Sequence, residues 1–330
     1  MKIKPRTILI SGIKIVALLI LATGMLITSS FGGEYPTKPI TFIVPFAAGG
    51  SNDIAYRVLA DYFSKKWGKQ INIVNQPGGN TIPATLEVYQ SPPDGYTLFA
   101  DSIHSASVQY ATIKNLPFKL EDRTFVAMVS YFPYACATSL NKPWKTLKDV
   151  AEFVKKEPSN FIWGALGTAG LSQWGVYQLS EILSVDPRDT RRVVYAGAPQ
   201  ILTALAGGFV DFYYCGVATA LPFYQAGKIR MLAITAPNRN KTVPDVPTTK
   251  ESGFPGLELM AWLGITGPPK LHPEVIEKWK EGMRRASNDP EFISKLEKVG
   301  NSVNYLPPDK FREMVLTEAE SFKISFKKYE

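Results

Sequence analysis

Small residues cluster in five short stretches, each where a strand-like run passes into a helix-like one. They are "FAAGGSND" (46–53), "ADSIHSAS" (100–107), "GALGTAGLSQ" (164–173), "YAGAP" (195–199) and "CGVATA" (215–220). Gly, Ala, Ser and Thr leave the backbone accessible, and the first turn of a helix carries unpaired N–H groups in a positive field. Such a loop can grip a carboxylate or phosphate. One loop of this kind is more often a turn with a helix cap. Several at the carboxyl ends of strands in one α/β chain point instead to a ligand site.

The residue types that would make this a catalytic site do not assemble in the sequence. There is no G-x-S-x-G nucleophile elbow. The glycines at 164, 167 and 170 miss the G-x-G-x-x-G spacing of dinucleotide sites, and no phosphate-binding G-x-x-x-x-G-K-[ST] occurs. His104 and His272 are the two histidines, and neither has a ligand-spaced neighbour, so neither a metal nor a cofactor is expected. Acid–base work would fall to Asp53, Asp94, Asp101 or Asp211. Asp94 reads as a turn residue, Asp211 as the opening of a strand, and Asp53 as an acid in a helix first turn, where it favours the dipole. Asp101 has no evident partner in the sequence.

Those loops must be held by a scaffold, and the chain alternates accordingly. "ITFIVPF" is a short apolar strand, and "NDIAYRVLADYFSKKWG" puts Ile54, Val58, Leu59, Tyr62 and Phe63 on one helical face before Gly68. Strand and helix patterns then repeat through "AGKIRMLAIT" at 226–235, with three helical segments following. A β-α-β-α-β series implies a parallel sheet covered by helices. No linker divides the chain, so two α/β halves would exchange strands. The long extended run at 125–140 and a return near Ile229–Thr235 are the expected crossovers.

The first 33 residues stand apart. Lys2, Lys4 and Arg6 precede an apolar stretch interrupted by Lys14 and followed by small residues at 29–33. This is the pattern of a cleaved signal peptide, and the clean apolar run Ile15–Ile27 is short for a spanning helix. The segment holds four basic residues and no acid, so the formal charge of +8 becomes +4 beyond it. That suits mild attraction of anionic solutes, and no basic stripe interleaved with aromatics suggests nucleic acid. Cys136 and Cys215 both sit in strand-like runs, either as a bridge or as buried thiols.

"YPTKPITFIVPFAAGGSNDIAYRVLADYF" resembles the opening of Bug-type periplasmic solute receptors, the substrate-binding proteins of tripartite tricarboxylate transporters. Further matches follow in register: "NQPG" (75–78), "PDGYTL" (93–98), "LPF" (116–118), "KTLKDV" (145–150), Tyr195 with Gly197-Ala198-Pro199, "ALP" (220–222), "VPDVPTTKESGFPG" (243–256) and Trp262. The resemblance implies a type 2 periplasmic binding fold, two α/β lobes joined by crossover strands with a ligand cleft between them. On this reading residues 1–33 are the signal peptide, 34–131 with 236–330 form one lobe and 132–235 the other. A ligand carboxylate would be held by Phe46, Ala47, Gly50, Ser51 and Asn52, and by Ala165, Gly167, Thr168, Ala169 and Ser172. Ser102, Ser105, Tyr195, Gly197, Ala198 and Cys215 would set specificity at the other end.

The resemblance also implies a monomeric, non-catalytic receptor in the periplasm that delivers a small organic carboxylate to the permease subunits of the transporter. A ligand-sensing subunit of a membrane signalling protein and a secreted hydrolase are the alternative readings. The sequence departs from the family pattern, which often has Asp-Asn where Cys215-Gly216 stand and glycines where Thr81 and Ala84 stand. Loss of that polar pair weakens the case for an amino acid or a second carboxylate there. Trp163, Trp174, Tyr213 and Tyr214 lie near the loops, and an aromatic ligand would be favoured if one of them lined the cleft.

Overall fold

The computed structural model describes residues 34–167 and 170–329; the expected signal segment, Thr168 and Ala169 lie outside the described residues. Met1–Thr37 separate from Lys38–Glu330 as a unit of their own, and the fold below is that of the second unit.

The first half follows the predicted alternation. Strand β1 (Ile40–Val44) leads to helix α1 (Ser51–Trp67), β2 (Ile71–Asn75), α2 (Ile82–Tyr89) and β3 (Thr97–Ser102). A single π turn (His104–Val108) then runs into the short α3 (Gln109–Thr112). The inner face of α1 buries Tyr56, Leu59, Tyr62 and Phe63, and the helix stops at Gly68, whose φ of 62° is easily adopted without a Cβ. Phe63 packs against Trp67 at 4.7 Å and Trp279 at 5.1 Å. Burying each such ring contributes roughly 1.5–3 kcal/mol.

The 16-residue β4 (Thr124–Ser139) carries the chain across. The second half comprises α4 (Leu147–Lys156), β5 (Ile162–Leu166), α5 (Leu171–Leu183), β6 (Arg191–Tyr195), α6 (Ala198–Ala206), β7 (Phe212–Gly216), α7 (Val217–Gln225) and β8 (Ile229–Ile234). The chain then adds β9 (Met260–Gly267), α8 (Pro273–Ala286), α9 (Pro290–Lys298), β10 (Ser302–Leu306) and α10 (Pro308–Phe326).

All ten strands join in the order β2-β1-β3-β9-β4-β7-β5-β6, with β8 and β10 also paired to β4. Each lobe has a parallel core, β2-β1-β3 in one and β6-β5-β7 in the other. β4 changes partner within itself. Thr124–Pro133 pair with β9, whereas Tyr134–Thr138 pair with β7 and Ala135–Ser139 with β8. Pro133 sits at the changeover, where a missing N–H disturbs the sheet least.

The return differs from the expected position near Thr235. Thr249 donates its N–H to Ile234 O at 2.9 Å, and Val243 and Val246 belong to the second lobe's core with Ile201 and Tyr213. The chain crosses back at Leu259–Met260, where the Thr235 hydroxyl bonds the carbonyls of both Tyr134 and Leu259. The segment 236–259 has too little regular structure for periodicity to reveal which lobe it serves. A further tie joins the lobes, because Trp174 of α5 packs on Phe322 at 5.8 Å and Phe326 at 5.1 Å of α10.

Cys136 and Cys215 are free and buried. Burial pushes both thiols well above their ordinary value.

Candidate functional site

The loop after β1 is built around Asp53. Gly49, at φ 78°, donates its N–H to Asp53 Oδ2 at 2.9 Å. Asn75 Nδ2 reaches Asp53 Oδ1 at 2.8 Å and Phe46 O at 3.0 Å, and Arg57 pairs with the carboxylate at 2.9 Å. Burial raises the Asp53 carboxyl, but the hydrogen bonds from Arg57, Gly49 and Asn75 outweigh it and hold the group below its usual range. Asp53 is therefore spent on shaping the loop and stabilising the start of α1.

Besides α2, whose N-cap Thr81 also lines it, four helices start at this cleft with glycine as the N-cap. They are α1 (Gly50), α5 (Gly170), α6 (Gly197) and α7 (Gly216), none with a hydrogen bond from its own cap side chain. Away from the cleft, α4 has a full capping box from Thr146 and α9 is capped by Asp289. Glycine caps leave first-turn N–H groups for another partner. They also allow close approach. A Cβ on Gly216 would lie 2.2 Å from Ser51 Oγ, one on Gly197 2.9 Å from Ala47 Cβ, and one on Gly170 2.7 Å from His104 Cε1. In each case a glycine of the second lobe faces a side chain of the first, so the lobes stand closed on one another.

Ser51 shows how tight this is. Its hydroxyl lies 2.8 Å from Thr219 Oγ1 and accepts the Thr219 N–H at 3.3 Å. Thr219 is the third residue of α7, so Ser51 supplies from across the cleft the cap that Gly216 lacks.

Two chambers lie between the lobes, with Phe46 and Leu166 walling both. The inner one, about 40 Å³, brings together Ala47, Gly50, Ser51, Asn52, Gly197 and Ala198 of the expected residues. Phe132, Tyr134, Tyr213, Gly216 and Thr219 complete it. Asn52 Oδ1 is buried without a hydrogen-bond partner. Burial raises the Tyr134 and Tyr213 phenols, so both remain neutral donors. The outer chamber, about 370 Å³, is lined by Gly167 and Tyr195 of the expected set, with Gly78–Thr81, His104, Val194 and Ala196. Among the described residues lining either chamber, no side chain is carboxylate, ammonium or guanidinium. One of the four aromatics named from sequence, Tyr213, reaches the cleft; Trp163 is buried with its Nε1–H on Thr190 Oγ1 at 2.8 Å.

Several expected residues sit elsewhere. Cys215 faces the second lobe's core with Sγ 3.7 Å from Ala135 O, and its neighbour Gly216 forms the chamber wall. Ala165 is buried in β5 one residue before Leu166, which lines the cleft. The Ser172 hydroxyl accepts Leu166 N–H at 3.3 Å and so braces its own loop. Ser102 and Ser105 are buried against Asp101, whose Oδ1 accepts the Ser105 hydroxyl at 2.6 Å and Ser102 N–H at 2.9 Å. A buried carboxylate demands such donors. Arg123 pairs with Asp101 Oδ2 at 2.9 Å and bonds Gln109 Oε1, and Gln109 Nε2 donates to Asn80 O and Thr81 Oγ1. The network thus ends at the cleft wall.

Between those serines, the π turn puts His104 in the wall of the outer chamber. Burial lowers its pKa from 6.5 to about 4. Above pH 6.5 it is neutral folded or unfolded; as pH falls, the unfolded chain takes up the proton first. Stability should therefore drop by about 3 kcal/mol between pH 6.5 and 4 from this group. Urea unfolding of the protein and of H104Q at pH 7 and pH 4 checks this: the pH dependence should be smaller in the variant.

The family described as tripartite tricarboxylate transporter family receptor matches residues 55–323. Protein BugT of Bordetella pertussis is 27% identical over 290 residues, covering 87% of each chain. The solved periplasmic binding protein BugD superposes with a TM-score of 0.81 at 26% identity, over 89% of this chain and 98% of that one. MatC of Rhodopseudomonas palustris, solved with bound malate, gives 0.79 at 28% identity, over 88% and 99%. In fold and sequence alike, over most of its length, the chain belongs to the tripartite tricarboxylate transporter receptor family of periplasmic solute-binding proteins.

Proposed function

We propose that the protein captures a small organic carboxylate between its lobes and delivers it to the membrane permease of a tripartite tricarboxylate-type transporter. The observation that carries this reading is the meeting of three glycine-capped helix starts, Gly50, Gly197 and Gly216, in one chamber without charged side chains. Each helix end supplies N–H donors and roughly half a positive charge. Together they can hold an anion where no lysine or arginine is needed. MatC, crystallised with malate, supports a carboxylate as the class. Thr168 and Ala169 keep the role expected of them from sequence. In the closed, ligand-bound protein the Ser51 hydroxyl bonds the ligand in place of Thr219. The hinge lies at Pro133–Tyr134 and Leu259–Met260, the two places where the chain passes between lobes. Export follows from the basic and apolar character of residues 1–33, and the receptor acts as a monomer.

Thermal-shift screening of the purified protein against mono-, di-, tri- and aromatic carboxylates tests the reading. A cognate ligand at a hundred times its dissociation constant stabilises by about 2.7 kcal/mol. S51A should weaken that ligand about tenfold, the value of one hydrogen bond to a charged group. A library in which no carboxylate shifts the midpoint would falsify the assignment.

A further inference from the structure

His104 is 8% exposed and lines the outer chamber. Its ring is held by packing: Phe46 meets it edge-on at 5.7 Å, and Gly170 lies so close that a Cβ there would clash with Cε1. Its two nitrogens make no hydrogen bond among the described residues. A fixed neutral imidazole thus offers one donor and one acceptor to whatever occupies the chamber.

The surroundings restrict what that can be. Phe46, Leu166 and Val194 give apolar walls, and Tyr195 adds a half-buried ring. A cavity of roughly 150 Å³ holds a benzene ring, so about 370 Å³ accommodates a substituted one. Three glycine-capped helix starts, at Gly50, Gly197 and Gly216, line the inner chamber, which places one carboxylate there. The outer chamber is partly open, with Val194 46% exposed, so a second carboxylate there would lose part of its water and meet no cationic side chain. A neutral hydroxyl or amide would lose less and would find the imidazole.

Resting on the receptor reading above, we propose that His104 is the specificity-determining residue of the cleft. It selects monocarboxylates whose flat apolar body ends in a neutral hydrogen-bonding group, over dicarboxylates. The low pKa of His104, about 4 through burial, agrees with an uncharged ring in this role.

Isothermal titration of the purified protein with benzoate, 4-hydroxybenzoate, terephthalate and adipate tests this. The expected order puts 4-hydroxybenzoate at least about tenfold tighter than terephthalate, because the far-end anion alone distinguishes them. H104A should weaken 4-hydroxybenzoate about tenfold and leave benzoate within about twofold. H104Q, which keeps a donor and an acceptor, should recover part of the loss, with unfolding midpoints measured for both variants at pH 7. Terephthalate or adipate binding as tightly as 4-hydroxybenzoate would overturn the ligand class and leave the receptor reading intact. The same follows if the aromatic monocarboxylates give no heat while some dicarboxylate of the wider library binds. Equal weakening of benzoate and 4-hydroxybenzoate by H104A would remove His104 as the reader. If no carboxylate of any kind binds, the receptor reading falls, and this inference with it.

Discussion

R123M is expected to destabilise the protein by about 3–5 kcal/mol, the cost of stranding a buried charge. The Arg123 and Asp101 side chains are 4% and 0% exposed, and the guanidinium lies over the rings of Phe99 and Phe118 at 5.7 and 5.4 Å. Methionine fills much of the same volume, so the loss would come from the charge and its hydrogen bonds rather than from a cavity. Asp101 would keep Ser105, Ser102 N–H and Thr266 as donors but no cation. Urea unfolding of R123M, D101N and the double variant separates these contributions. The double variant should be more stable than R123M, since it removes the stranded charge as well. A loss below about 1 kcal/mol in R123M would mean that Asp101 is adequately served without its partner. Because Arg123 also holds Gln109, whose amide braces Asn80 and Thr81, R123M should weaken ligand binding too.

G216A should act in the opposite manner, harming binding more than folding. The added methyl would stand 2.2 Å from Ser51 Oγ and 3.0 Å from Phe132 Cε2. Parting the lobes relieves the closer contact, with Ser51 across the cleft, so the free protein escapes that clash by opening. Closure around a ligand cannot. Overpacking of this kind costs about 1–3 kcal/mol, which corresponds to about five- to 150-fold in affinity. Titration calorimetry reads the affinity, and small-angle scattering of the ligand-free variant should report a larger radius of gyration. Unchanged affinity would show that the lobes need not come this close to hold a ligand.

Much of this was legible before any coordinates. Strands buried on both faces read as apolar runs, and helices with one buried face read by their spacing, so the alternating scaffold was visible in the residues. The crossing at β4 was visible because 16 consecutive residues with hardly a polar interruption exceed what one lobe uses. The glycine loops were visible because small residues gathered at strand ends have few other reasons to do so.

What stayed hidden depended on contacts distant in sequence. Nothing near Ser102 or Ser105 announces Arg123, more than fifteen residues on, so both hydroxyls looked available although that of Ser105 is committed to Asp101 and that of Ser102 lies against Ser105. Cys215 and Gly216 differ by one position, but Cys215 lies within the strand while Gly216 ends it and caps the helix start at the cleft. His104 is presented by one π turn, closed by Val108 N–H to Ile103 O at 2.9 Å, and such a turn carries no periodic signature. A histidine judged by metal-ligand spacing alone has no visible task.

The glycine caps have an evolutionary consequence. If the anion is gripped by peptide groups at helix ends, the grip belongs to the main chain, and exchanging a side chain cannot delete it. Residues such as His104, Val194 and Tyr195 line a different chamber and carry none of that grip. Mutation there can re-aim the receptor toward a new molecule while its hold on the shared carboxylate persists, so intermediate variants remain able to bind throughout the change.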